Sequence, residues 1–179
     1  MKTHIADRES VDAGDLAGLF DRYARELLRY CARRVGDDVA EDVVAETFLL
    51  AYERRERYDP TRGALLPWLY GIATNLLRRH LRTELRLLRT AVPADLVSEG
   101  PALRSAERVD AQRSVARLAA VLAKLPRRQR DVLMLYAVAE LEYAEIAAAL
   151  DIPLGSVQSA LHRARTKVRA ALPAEGENR

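Results

Sequence analysis

A single cysteine, Cys31, leaves this chain no partner for an internal disulfide and suits a reducing compartment, so the expected location is cytoplasmic. Long apolar runs are also missing. The longest, Val132–Ala139, is eight residues, against the roughly 20 a membrane-spanning helix needs. Residues 1–14 are mixed and charged, without the apolar centre of a signal peptide. These absences predict a chain that does not insert into a membrane. Glycine and proline number only 8 and 7 in 179 residues, and aromatics make up 6%. Few segments alternate apolar and polar residues as strands do. What remains in abundance is Ala, Leu and Arg, and the prediction is an all-α protein.

Charge is unevenly placed. The formal net charge is only +3, yet Gly36–Glu53 holds six acids and no Lys or Arg, and Gly71–Thr90 holds five Arg against one acid. From Leu154 to Leu172 the charged residues are Arg163, Arg165, Lys167 and Arg169, with no acid. One acidic and two basic segments imply two kinds of partner, one of them a nucleic acid.

Helical periodicity marks Asp15–Val35, with Leu16, Leu19, Phe20, Tyr23, Leu27 and Tyr30 on one side. Gly36 closes that helix, and Asp37 or Asp38 is expected to cap the next, which reaches about Arg57. Tyr58–Gly63 is rich in turn residues. Pro67 suits the first turn of a third helix running to about Thr90, because its missing N–H would have no partner there. Residues 91–106, with two Pro, one Gly and no apolar stripe, read as a flexible linker. Beyond it, Glu107–Leu125, Arg127–Ala139, Tyr143–Leu150 and Leu154–Leu172 read as helices. The chain thus divides into two small helical domains, residues 1–90 and 107–173, with a tail at 174–179.

The last two helices have helix-turn-helix spacing. Ile146, Ala147 and Leu150 point inward, Ile152 plugs the turn, and Val157, Leu161, Ala164, Val168 and Leu172 form the inward stripe that follows. The opposite face carries Ser156, Gln158, Ser159, His162, Arg163, Thr166 and Arg169. Donors and cations without acids are what a helix lying in a major groove requires. The alternative is an amphipathic helix with a solvated polar face; the short-helix, turn, long-helix layout favours DNA.

In the second helix Asp42, Glu46, Leu49 and Glu53 share one acidic stripe, while Val39, Val43, Val44, Thr47, Phe48, Leu50 and Ala51 serve the core. Such a stripe fits either a partner contact or plain solubility. A carboxylate-bridged metal site on Glu41, Asp42 and Glu46 is a third reading. It lacks a nearby His and a second carboxylate helix. In the third helix Leu69, Ile72 and Leu76 face inward, whereas Trp68, Asn75, Arg79 and Arg82 lie on another face with Arg78 beside them. An aromatic, an amide and a row of cations can stack on, hydrogen-bond to and neutralise a displaced DNA strand.

Leu125-Pro126, Arg130–Leu133, Glu145-Ile146-Ala147, Gly155-Ser156-Val157 and Arg163-Ala164-Arg165 together resemble region four of the extracytoplasmic-function sigma factors. The acidic helix and the WLYGIATN helix resemble region two of the same family, in the family's domain order, so the likeness spans about residues 15–172. The resemblance implies a transcription-initiation factor without catalytic residues, cofactor or metal. Its partners would be RNA polymerase core enzyme, promoter DNA and an anti-sigma factor. It assigns core binding to Asp42, Glu46, Leu49 and Glu53. Trp68, Asn75, Arg78, Arg79 and Arg82, with the loop at about Arg54–Leu66, fall to melting and capture of the minus-ten element. Ser156, Gln158, Ser159, His162, Arg163 and Thr166 fall to the minus-thirty-five element. Four positions depart from the family pattern. Ser156 replaces Thr, Gln158 and Ala160 stand where many members carry Lys or Arg, and Glu142 replaces the Ser or Thr that often caps the first helix of the pair, implying a weaker start. An ordinary helix-turn-helix regulator is the competing reading, but it would need a ligand pocket or a self-complementary apolar face in the N-terminal half.

Overall fold

The computed structural model describes residues 16–90 and 117–171. The expected linker at 91–106, the helix start at 107–116, Leu172 and the tail lie outside that range. Every regular element among the described residues is helical: α1 (Leu16–Val35), α2 (Asp37–Glu53), a 3₁₀ turn (Arg55–Arg57), α3 (Leu65–Thr90), α4 (117–124), α5 (Arg127–Ala137), α6 (Tyr143–Leu150) and α7 (Leu154–Ala171).

Gly36 does two jobs at the first corner. Its N–H bonds the Ala32 carbonyl at 2.9 Å, closing α1, and its φ of 83° is the left-handed geometry that glycine adopts cheaply. It is also the N-cap of α2, with no side-chain cap bond. The aspartates therefore do not cap; Asp37 and Asp38 sit inside the first turn, where their charge complements the helix dipole. The helix also ends earlier than its pattern suggested, at Glu53, because the chain tightens into the 3₁₀ turn.

The α1–α3 half is built around α3. Leu27, Tyr30 and Cys31 of α1, and Val43, Val44, Thr47 and Phe48 of α2, close over Leu65, Leu69, Tyr70, Ala73 and Leu77. Each large apolar side chain removed from water contributes about 1.5–3 kcal/mol relative to exposure. The buried polar groups of this interior are partnered: the Tyr30 hydroxyl shares a 2.8 Å hydrogen bond with Thr74, and the Thr47 hydroxyl donates to the Val43 carbonyl at 2.7 Å. Burial pushes the Cys31 thiol up to about 12, so at neutral pH it is a protonated, inert core residue.

In the C-terminal half, α5 and α6 pack on α7 through Val132, Leu135, Ile146, Val157, Ala160 and Leu161. Asp151, at φ 51°, supplies the left-handed residue of the α6–α7 turn, and Ile152 N–H bonds the Ala147 carbonyl at 3.0 Å. At the start of α6 the Glu145 carboxylate reaches back 2.8 Å to the Glu142 N–H. That reciprocal bond replaces the missing Ser or Thr, so the expected weakness there is corrected.

The sequence did not foretell that the halves pack on one another. One continuous buried cluster runs from Leu19 to Leu161, and α3 lies against α6. At their closest approach a Cβ on Gly71 would stand 2.3 Å from the Ala149 carbonyl oxygen. Only glycine admits that contact.

Candidate functional site

On α2 the four acidic-stripe residues share one face. Asp42 and Glu53 are exposed, Glu46 is half-buried, and Leu49 is 55% exposed. A large aliphatic side chain left in water amid carboxylates is a contact surface in form. Glu46 is not idle, however: it pairs with Arg79 of α3. Two residues read from the sequence as belonging to separate surfaces meet here. The carboxylates of this helix form no donor set for a metal; among the described residues no three His, Cys, Asp or Glu side chains gather in that way.

On α3 Asn75, Arg79 and Arg82 are exposed, while Trp68 and Arg78 are half-buried. Trp68 leans on Tyr58, with ring centroids 5.3 Å apart, and the Tyr58 hydroxyl donates to the Gly63 carbonyl at 3.2 Å. The loop between them is braced by Asp59, whose carboxylate accepts from the Thr61 N–H at 2.9 Å and from its hydroxyl at 2.6 Å. Those two bonds, with Arg62 nearby, hold the Asp59 carboxyl below its ordinary pKa. Between this loop, α3 and α6 lies a cleft of about 380 Å³. Arg54, Arg57, Arg62, Trp68 and Asn75 line one side, and Ala149 and Asp151 the other. The three loop arginines were not singled out from the sequence. Their signal was the density of Arg in a segment that the resemblance assigned to the minus-ten element only as a whole.

Arg78 is less available than its place in the row implied. Its Nη1 bonds Asn75 Oδ1 at 3.0 Å and its Nε bonds Asp131 Oδ2 at 2.8 Å. The other Asp131 oxygen takes Arg34 Nη2 at 2.6 Å, and Arg34 Nη1 reaches the Tyr30 hydroxyl at 2.9 Å. Asp131 and Arg34 are 1% and 4% exposed. Burial disfavours the charge on Arg34, but Tyr30 and Asp131 facing it outweigh that cost and leave its pKa raised. Asp131 entered the sequence reading only as part of the Arg130–Leu133 match, with no role of its own, and Arg34 was not picked out. The available sign was a lone acid beside Val132 on the apolar side of α5.

On α7 Gln158, His162, Arg163 and Thr166 are exposed and Ser156 and Ser159 half-buried. Ser159 donates to the Ser156 carbonyl and accepts Arg163 Nη2, both at 3.2 Å, and Thr166 donates to the His162 carbonyl at 3.0 Å. Gln158 and His162 keep their polar ends toward solvent with no such tie among these bonds. Ala160 was compared above with basic positions of relatives; it is fully buried, so it belongs to the core and cannot read DNA. Arg165 lies over the Tyr136 ring at 4.5 Å, which fixes this helix to α5.

Two stretches match family profiles: residues 19–87 match Sigma-70 region 2, and residues 116–168 match Sigma-70, region 4. The chain is 31% identical over 179 residues to the ECF RNA polymerase sigma factor SigL of Mycobacterium tuberculosis, covering 98% of each. Among solved structures it is similar to CnrH in complex with the cytosolic domain of CnrY, with a TM-score of 0.65, 26% identity and 93% of each chain covered. It also shares its fold with the sigma factor RpoE from Bartonella quintana, crystallised with the anti-sigma factor NepR. There the TM-score is 0.64 at 22% identity, over 91% of this chain and 99% of the other.

Proposed function

The chain belongs to the extracytoplasmic-function (ECF) RNA polymerase sigma factors, and from that premise we propose that it binds polymerase core and directs promoter recognition, DNA melting and initiation at a specific regulon. The observation that carries this reading is the coexistence, in one chain, of an acidic face with exposed Leu49, an Asn75–arginine face beside a basic cleft, and a separate basic recognition helix. The α2 face serves core, the α3 face with its loop serves the minus-ten strand, and α7 serves the minus-thirty-five duplex. Flipping a base into a cleft exposes edges that a duplex hides, for an unstacking cost of a few kcal/mol. Gln158 can pair bidentately with adenine, discriminating by about 1–3 kcal/mol. Arg163 is placed for a phosphate, which positions the helix without reading sequence.

On this reading the protein is a cytoplasmic specificity factor and not an enzyme. Among the described residues no helix is long and apolar enough to cross a membrane. An anti-sigma factor is a proposed partner, supported by the RpoE relative having been crystallised with one. The function is tested by gel shift on promoter DNA with and without core. The chain alone should bind weakly, and core should tighten sequence-specific binding by about 10²-fold or more, within the range that linking two contacts gives. Tight, specific binding by the chain alone, with core adding nothing, would favour an ordinary regulator.

A further inference from the structure

We propose that Asp131 is a latch that holds the unbound protein closed, with its own carboxylate occupying the DNA face of α3. This inference rests on the DNA role proposed above for that face. Asp131 of α5 is bonded on one oxygen to Arg34 of α1 and on the other to Arg78 of α3, and Arg78 in turn holds Asn75. A single acid from the C-terminal half thus ties down a cation and an amide that the minus-ten strand would need. A carboxylate meeting guanidinium groups is the same charge-assisted contact a backbone phosphate would make. On the same face, α6 walls the cleft with Ala149 and Asp151, and Gly71 lets it come to backbone contact.

Length makes the closed form incompatible with a promoter. The minus-ten and minus-thirty-five elements are about 25 base pairs apart by name, or ~85 Å at 3.4 Å per pair. A compact chain of this size has a radius of gyration near 16 Å, so its two DNA faces cannot reach both elements while α3 and α6 touch. The exposed face of α7 stays available, whereas the α3 face is shared with Asp131.

The latch is also built to release. Arg130, next to Asp131, has its pKa lowered first by burial and then by the charge of Arg34, and its Nε is buried without a hydrogen-bond partner. The Arg34 charge comes from the other half, so that part of the cost is lifted when the halves separate. The outer tie, Arg62 to Asp151, is a 3.3 Å pair between side chains 71% and 89% exposed, too solvated to hold the halves by itself. Closure therefore depends on Asp131 and on the α3–α6 fit. A partner that separates the halves frees Arg78 and Asn75 in the same motion.

Asp131→Asn in the full-length chain removes the charge and keeps the shape. Gly71→Ala pushes α6 off α3 without touching any charge, and it favours α3 itself as a helix. Two readouts apply: small-angle scattering of the unbound protein, and affinity for a fluorescein-labelled single strand from a promoter that the core-bound wild type opens. Both variants should keep their far-UV helicity and raise the radius of gyration by at least about a quarter over the compact value. Asp131→Asn should also bind the strand about tenfold or more tightly, the ceiling being the closed-to-open ratio of the wild type. With core bound, wild type and Asp131→Asn should be alike. Helical variants whose dimensions and strand affinity both equal those of the wild type would overturn the latch. Expanded variants paired with a core-bound wild type that ignores the strand would uphold the latch and refute the DNA role of α3.

Discussion

Reversing Asp42 and Glu46 to Lys should reduce association with polymerase core by about 10²-fold or more, since like charges brought together in an interface cost several kcal/mol. Asp42 is exposed and on the same face as Leu49, so its reversal leaves the interior of α2 untouched. Glu46 needs more care, because a lysine there would face Arg79 across the broken ion pair. Asp42→Lys alone should therefore weaken core binding with helicity and thermal stability intact, and Glu46→Gln should separate loss of the acid from repulsion of Arg79. Co-purification with core that is unchanged in the double reversal would remove the acidic face from the account.

The second large effect belongs to α3. Replacing Arg79 and Arg82 with Ala, in an otherwise intact chain, should abolish permanganate reactivity of the minus-ten thymines on a duplex promoter. On a pre-melted bubble the same change should flatten the salt dependence of binding. Two phosphate contacts to a single strand correspond to a slope change of about 1.4 in log affinity against log salt. Core association should fall much less. Arg79 is bound to Glu46 in the unbound chain, so occupation of the acidic face by core would release a cation to the DNA face. Asn75→Ala should lower opening of the duplex while leaving the salt slope unchanged, since an amide reads an edge and neutralises nothing. Undiminished permanganate reactivity in the double arginine variant would detach this face from melting.

The extent to which the sequence revealed all this follows from what periodicity encodes. A helical wheel sorts residues by face, and so α2, α3, α6 and α7, the inward stripe of Leu69, Ile72 and Leu76, and the exposed row on α7 were legible before any coordinates. Several ends were legible, as at Gly36, Thr90 and both ends of Tyr143–Leu150, and less so at Arg57, where a 3₁₀ turn continued the composition of the helix. What a wheel cannot say is which polar face meets another element. Asp131 is 97 residues from Arg34 and 53 from Arg78 in sequence, so its place on the apolar side of α5 could mark it as unusual but could not name its partners. Ala160 shows the converse error. Comparison by position set it beside residues that are basic in many relatives, yet it is fully buried and belongs to the core. Glu142 was misjudged because the capping bond runs backward, from Glu145 to the Glu142 N–H, and does not need Ser or Thr at the cap.

The central claim is that this chain confers promoter specificity on polymerase core. Run-off transcription with purified core, on DNA from upstream of its own gene and on a genomic fragment library, tests that most directly. Core with the chain should yield transcripts from discrete start sites that share upstream elements, and core alone or the chain alone should yield none. Transcription that is no different when the chain is added, over a range of chain-to-core ratios in which the two proteins co-purify, would contradict it.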